Sequence, residues 1–278
     1  MNSFELTLWI GLGSLVAGFL GALTGLGGGI VITPLLTLVF GIDLRYAIGA
    51  ALVSVIATSS GAAAAYVKEG YTNIRIGMFL EIATTVGAVV GASFASRLPA
   101  STISIIFGVV LLFSAYASSR PAPPAGRDQG PDRLAGLLKL DSSYPTTQGL
   151  QSYHVRGVPA GFSLMFVAGT ISGLLGIGAG AMKVIAMDQA MRIPFKVSTT
   201  TSNFMIGVTA AASAGVYLQR GYIDPGLAMP VVLGVLLGSL LGAKVLPATR
   251  TSLLRVLFGI VVAVLAVEMI YHGMTGRI

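Results

Sequence analysis

The sequence predicts an all-α integral membrane protein, built from two inverted repeats of about five helices each, with Gly-rich broken or re-entrant half-helices meeting near the bilayer centre. Three observations predict it. Of 278 residues, 54% are hydrophobic and only 10% charged, with a mean hydropathy of +0.86; soluble domains carry about a quarter charged residues. Apolar runs recur in both halves, such as ISIIFGVVLLFSAYA (103–117) and LAMPVVLGVLLGSLLGAKVL (227–246), near the roughly 20 residues that cross a bilayer core as a helix. A β-barrel would instead show alternating segments of about ten residues. The third observation is a duplication at a single offset of 151 residues. Gly25, Gly27 and Gly29 fall on Gly176, Gly178 and Gly180; Tyr66, Gly70 and Tyr71 fall on Tyr217, Gly221 and Tyr222; Gly87 and Gly91 fall on Gly238 and Gly242; Phe107 and Gly108 fall on Phe258 and Gly259.

Each repeat divides in the same order. A long apolar helix comes first, about 6–24 and 158–175. The first run begins at Leu6 without a basic segment before it, so it reads as a retained span and not a signal peptide. A glycine break follows, then a short helix at about 30–41 and 181–192, which Pro34 starts or bends in the first copy. Three longer helices complete each unit, at roughly 46–67, 75–97 and 101–118, with counterparts near 197–218, 226–247 and 252–271. The chain therefore divides into repeat 1 (1–118), a linker (119–156) and repeat 2 (157–278). The linker is rich in Pro, Gly and charge and reads as extramembrane. Its LAGLLKL piece (134–140) is either a short interfacial helix or a loop.

Basic residues orient a membrane chain, because they are retained on the cytoplasmic side. Inverted repeats with the linker inside collect twelve there: Lys68, Arg75, Arg120, Arg127, Arg133, Lys139, Arg156, Arg192, Lys196, Lys244, Arg250 and Arg255. Four remain outside, namely Arg45, Arg97, Arg220 and Arg277, whereas parallel four-span copies split nine against seven. The expectation is a multi-pass protein with a cytoplasmic linker and both termini outside. The net charge of +7 is explained by this topology and not by nucleic-acid binding.

Three groups of residues are candidates for chemistry. In lipid, non-helical backbone is tolerated only where protein or a polar cavity surrounds it. Matched breaks in two repeats point to a midplane site where backbone N–H groups meet an anion. The alternative is close packing of small residues, which accounts well for Gly87, Gly91, Gly238 and Gly242. The second group is the hydroxyl-rich third helices, with Ser54, Thr58, Ser59 and Ser60 in one and Ser198 to Asn203 and Thr209 in the other. A buried hydroxyl either returns its proton to its own helix or lines the pathway; the Asn203 amide is less easily satisfied. The third group is Glu81, Lys183, Asp188 and Glu268, ionisable residues inside spans and so functional candidates. Lys183 follows the second break by three residues and has no acid at helical spacing, so it places a cation beside a bound anion. Glu81 either snorkels or exchanges a coupling proton. Asp188 is a second coupling candidate, or pairs with Arg192 at i+4. Glu268 lies near the C-terminus and can reach water.

Several classes are excluded. The chain has no cysteine and two histidines, His154 and His272, which lie in the linker and the tail. No thiolate metal site, HExxH pattern or membrane-protease aspartate pair is present, and GLGGG lacks the strand and partner residues of a phosphate loop. Neither an enzyme nor a cofactor is expected.

These residues carry a family resemblance. TGLGGGIVITPLL, its degenerate copy GLLGIGAGAMKVIAMDQAM, ATSS at 57–60, TSNFMIGVTA at 201–210 and GYI at 221–223 resemble the TauE/SafE sulfite exporter family, over both repeats and without the linker. The resemblance implies a prokaryotic inner-membrane carrier that exports a small sulfur anion, such as sulfite, thiosulfate or a sulfonate. The family's glycine motifs land on Gly25, Gly27, Gly28 and Gly29 and on Gly176, Gly178 and Gly180. Ala179 replaces a glycine and Ile185 stands where the second motif usually has proline, so the two half-sites are not equivalent. The expected substrate site comprises these positions with Ala179, Ser54, Thr58, Ser59, Lys183, Thr200 and Asn203; Glu81 and Asp188 are the coupling candidates, and no metal is expected. A passive anion channel is the alternative, and a cation carrier is disfavoured by the scarcity of membrane carboxylates. The expected partners are the anion, a coupling proton or cation, the lipid bilayer and, on general grounds, a second copy of the chain.

Overall fold

A computed structural model of the chain describes residues 3–24, 28–68, 70–119, 132–146, 149–245 and 251–277. The expected helices form in both halves, with ends displaced by a few residues. Repeat 1 contains α1 (Ser3–Thr24), α2 (Gly29–Pro34), α3 (Leu44–Lys68), α4 (Ile74–Ala95) and α5 (Ala100–Ser119). After the linker, repeat 2 contains α7 (Val158–Leu175), α8 (Gly180–Ile185), α9 (Phe195–Gln219), α10 (Pro225–Val245) and α11 (Thr251–Thr275). By length and composition, Ile74–Ala95, Val158–Leu175 and Pro225–Gly242 can each cross a membrane, and shorter apolar helices surround them. On α4 the sorting is plain: Met78, Ile82 and Val86 face outward while Glu81, Thr84 and Ala88 are buried. A helix whose apolar face looks out and whose polar residues look in is arranged for lipid.

Both short helices widen at their ends into a π-type turn, at Leu35–Val39 after α2 and at Ala186–Ala190 after α8. Pro34 lies at the end of α2, with φ −60° and ψ −39°, and Ile185 holds the corresponding place with φ −60° and ψ −43°. The proline therefore does not start the returning helix. The same shape forms with isoleucine, so the surrounding packing imposes it.

The two halves of the chain pack with reciprocal contacts. Glycines let α4 lie against α7: a Cβ at Gly87 or Gly91 would collide with the carbonyl of Phe166 or Thr170. The equivalent Gly238 of α10 meets Leu15 and Phe19 of α1, positions that correspond to Phe166 and Thr170 at the same offset. Contacts advance in step along both pairs, so α4 runs parallel to α7 and α10 parallel to α1. The fifth helices meet antiparallel: Gly108 packs on Ala266 and Ile270, Ser104 Oγ donates to the Met269 carbonyl at 2.6 Å, and Gly273 packs on Ser101. Close backbone approach through small residues is the usual device where no hydrophobic effect drives helices together.

The turns after each third helix repeat this exchange. Gly70 and Gly221 adopt left-handed φ of 76° and 73°, which glycine accepts without a Cβ penalty. The tyrosines that follow reach the opposite repeat, where Lys196 lies 3.7 Å from the Tyr71 ring centroid and Arg45 lies 5.9 Å from that of Tyr222.

The linker is folded over its described residues, 132–146 and 149–156. It forms α6 (Arg133–Leu137) and an antiparallel hairpin of β1 (Ser142–Thr146) with β2 (Gly149–Tyr153). Ala135, Leu140, Tyr153 and Val155 share an apolar cluster with Ile76 of α4, Met187 and Met191 after α8, and Val197 of α9. Asn73 ties these parts together. Its Oδ1 accepts from Ile76 N to cap α4, its Nδ2 donates to the Leu140 carbonyl and to Tyr153 Oη at 2.7 Å, and its backbone N–H donates to Thr201 Oγ1. Burial pushes the Tyr153 phenol above its ordinary pKa.

Candidate functional site

Among the described residues, Lys183 and Glu81 are the buried charged side chains, with 0% and 8% of their surfaces exposed. They come from different repeats. Lys183 is the fourth residue of α8, one turn after the break, and Glu81 sits on α4. Thr209 of α9 joins them: Lys183 Nζ donates to Thr209 Oγ1 at 2.5 Å, and that hydroxyl donates to Glu81 Oε1 at 2.6 Å. The Met205 carbonyl, at 3.0 Å, is a second acceptor for the same proton. Thr85 Oγ1 also donates to Glu81 Oε1 at 3.2 Å, while Oε2 is buried without a hydrogen-bond partner among the described residues. A buried ion pair is retained only where hydrogen bonds compensate the lost water, and two hydroxyls do so here. No acid lies at helical spacing from Lys183; the fold supplies one from the other half of the chain.

The pseudo-equivalent place in the other half is apolar. At the offset of 151, Lys183 corresponds to Ile32, Glu81 to Val232, and Thr209 to Thr58. Ile32 is fully buried, and Thr58 Oγ1 donates to the Ser54 and Val55 carbonyls of its own helix at 3.0 and 3.2 Å. One threonine is thus shared by both halves, and the charges belong to one half alone.

The second break stands beside Lys183. Gly176 and Gly178 have φ of 69° and 70°, and Ala179 has φ 46°, in the left-handed region that costs a residue with a Cβ. Ser202 Oγ donates to the Gly180 carbonyl at 3.2 Å. Gly29 brings the first break to the second: a Cβ built on it would lie 3.4 Å from the Gly176 carbonyl oxygen and would overlap Val55 Cγ2. Gly28 packs on Val235, Gly176 on Ile48, and Gly178 and Gly180 on Ile206. Gly25 and Gly27 lie outside the described residues. Where described, the break residues are buried and tightly packed, so the glycines serve close approach.

The remaining predicted residues separate into two sets. Ser54, Ser59 and Thr200 return their protons to the carbonyls of Ala51, Ile56, and Lys196 and Val197 on their own helices. Asn203 is half-buried and makes no hydrogen bond with the described residues. It shares a face of α9 with Gly207, which packs on Ser59, so it does not meet Lys183. Asp188 is half-buried, and no ion pair joins it to Arg192 among the described residues. The π-type turn and the left-handed φ of 59° at Arg192 take that pair off the i, i+4 face. Glu268 approaches His272 at 3.6 Å near the chain end. Ser202 and Thr209 carry the cross-helix bonds, and their seven-residue spacing, which puts both on one helix face, is the sequence signal that finds them.

Basic residues gather in two groups at opposite ends of α4. Arg75, Lys139, Arg156 and Lys196 gather where the linker meets the N-terminal ends of α4, α7 and α9; Arg75 Nη1 donates to the Lys139 carbonyl at 3.4 Å, and Arg156 N–H to that of Met191 at 3.1 Å. Arg45 and Arg220 lie at the other end of α4, donating to the carbonyls of Ala95 and Leu98 and of Ala92 and Ser93. Arg120, Arg127 and Arg250 lie outside the described residues, as do the side chains of Lys68, Lys244 and Arg255.

The family described as "Sulfite exporter TauE/SafE" matches residues 10–269. The chain is 27% identical over 278 residues to the probable membrane transporter protein YunE of Bacillus subtilis, covering 98% of each chain. It is 28% identical over 279 residues to a probable membrane transporter protein of Xylella fastidiosa, again covering 98% of each. A second Bacillus subtilis relative, the probable membrane transporter protein YdhB, is 27% identical over 231 residues, covering 83% of this chain and 84% of its own. No solved structure matches the chain.

Proposed function

From the premise that the chain belongs to the TauE/SafE sulfite exporter family, which makes it a membrane transporter, we propose that it exports a small sulfur-containing anion such as sulfite, thiosulfate or a sulfonate by alternating access. The observation that carries the choice of an anion is Lys183: a fully buried cation three residues past a break whose backbone leaves helical geometry. Placing a charge in such surroundings is expensive, and an anion that arrives there gains from both the charge and the low local dielectric.

The antiparallel packing of α5 on α11, with α1 parallel to α10 and α4 parallel to α7, supports two repeats inverted with respect to one another. Repeat 1 (1–118) and repeat 2 (157–278) then form the transport unit, with the linker (119–156) cytoplasmic and both termini outside. The contact of Gly29 with Gly176 supports half-helices that meet centrally. Rocking of one unit against the other moves the site between the two sides. Lys183 supplies the charge, and Gly178, Ala179 and Gly180 supply backbone. Export calls for neither catalysis nor a cofactor.

The test is a thermal-shift screen of the purified protein against sulfite, thiosulfate, sulfate, sulfoacetate, taurine and phosphate, since a ligand of the native state raises its stability. A shift with sulfur oxyanions and none with taurine is expected. Saturable counterflow in proteoliposomes is the carrier's signature, and unitary currents in a planar bilayer would favour the channel.

A further inference from the structure

We propose that Glu81 is a tethered counter-ion which the transported anion must displace from Lys183, so that each monoanion moves together with one proton. The proposal rests on the reading of Lys183 as the anion's partner and adds what must happen to its present one. Glu81 Oε1 is held by Thr209 and Thr85, whereas Oε2 is buried and has no hydrogen-bond partner among the described residues. An ionised carboxylate with an unpartnered oxygen is costly to bury, and that oxygen is where a proton can be added without breaking an existing bond.

Charge decides the rest. With no anion bound, Lys183 and Glu81 cancel. A monoanion that joined them while Glu81 stayed ionised would leave one net negative charge in the interior, which Coulomb repulsion at low dielectric disfavours. A proton from water on the loading side, added at Oε2, makes Glu81 neutral and restores a net charge of zero. On unloading, the anion and the proton leave together and the ion pair re-forms. Thr209 suits the exchange: its hydroxyl turns from Glu81 to the Met205 carbonyl, 3.0 Å away, when the carboxyl is neutral. No other charge described here faces Glu81. Helix α7 carries no ionisable residue. On α9, Lys196 is held at the Tyr71 ring and Tyr217 donates to the Leu174 carbonyl, and on α4 Arg75 is exposed.

The half of the molecule related by the repeat provides the control. Ile32 and Val232 replace the pair there, so one proton-linked site is expected per chain.

The experiment measures proton uptake in weakly buffered detergent solution on addition of methanesulfonate, a monoanion that takes up no proton near neutrality. The wild type is expected to take up about one proton per anion bound, with affinity weakening about tenfold per pH unit once Glu81 is ionised. Glu81→Gln is expected to bind methanesulfonate with no proton uptake and no pH dependence. Binding by the wild type without proton uptake overturns the coupling and leaves the anion site standing, as does uptake that persists in Glu81→Gln. Binding of methanesulfonate to neither protein overturns the anion site and the proposal with it.

Discussion

Lys183 and Glu81, which lie in different repeats, are joined by a single hydroxyl: the Thr209 oxygen accepts from the ammonium at 2.5 Å and donates to the carboxylate at 2.6 Å. Because both charges are buried, removing one leaves the other without compensation. Lys183→Ala is therefore expected to lower stability by about 3–5 kcal/mol, read as unfolding in detergent. The double variant Lys183→Ile/Glu81→Val copies the apolar residues Ile32 and Val232. It is expected to unfold within about 1 kcal/mol of the wild type, or above it. A double variant as unstable as Lys183→Ala would show that the pair is not one energetic unit.

Thr209 carries the bridge by its hydroxyl and not by its shape. Thr209→Val keeps the volume and removes the hydrogen bonds, so anion transport is expected to fall at least about tenfold, since hydrogen bonds to charged groups contribute about 1.5–3 kcal/mol. Thr209→Ser is expected to stay near wild type. Equal rates for Val and Ser in proteoliposome flux assays would remove Thr209 from the site.

The glycines make two different demands. At Gly29 an added Cβ overlaps the Val55 side chain, which can be trimmed, whereas at Gly91 it overlaps the Thr170 carbonyl, which is backbone. Gly29→Ala is expected to lose about 1–3 kcal/mol and to recover in Gly29→Ala/Val55→Ala. Gly91→Ala has no such single-residue rescue. Melting curves of the three variants decide the point.

The linker offers a test of topology. The chain lacks cysteine, so Leu150→Cys, at an exposed hairpin position, introduces a single thiol. Labelling by a membrane-impermeant maleimide is expected in inverted membrane vesicles and not in intact cells. Asn73→Ala removes a helix cap and the bonds to Leu140 and Tyr153. It is expected to cost about 0.5–2 kcal/mol and to speed proteolysis of the linker. Unchanged cleavage would mean that the apolar cluster alone holds the linker.

Much of this fold is legible in the sequence because its signals are local. The offset of 151, the apolar runs and the two breaks put every long helix within a few residues of its observed place. Gly87, Gly91 and Gly238 behave as the close-packing positions that their spacing suggests. Relationships between distant segments are not legible in the same way. An acid at helical spacing from Lys183 is absent, and nothing local to Glu81 names Lys183; only the parallel packing of α4 on α9, with Asn73 on Thr201 and Glu81 on Thr209, brings them together. The hydroxyls of Ser54, Thr58 and Thr200 bond within their own helices, an option that leaves no mark in sequence. The β1–β2 hairpin is hidden because Pro145 interrupts a strand of only five residues.

The central claim is that a small sulfur anion crosses the membrane at Lys183. The most direct measurement is counterflow of radiolabelled thiosulfate into proteoliposomes preloaded with unlabelled thiosulfate, comparing the wild type with Lys183→Ile/Glu81→Val. The account predicts saturable counterflow by the wild type and background rates for the folded double variant. Equal counterflow by the two proteins would contradict it.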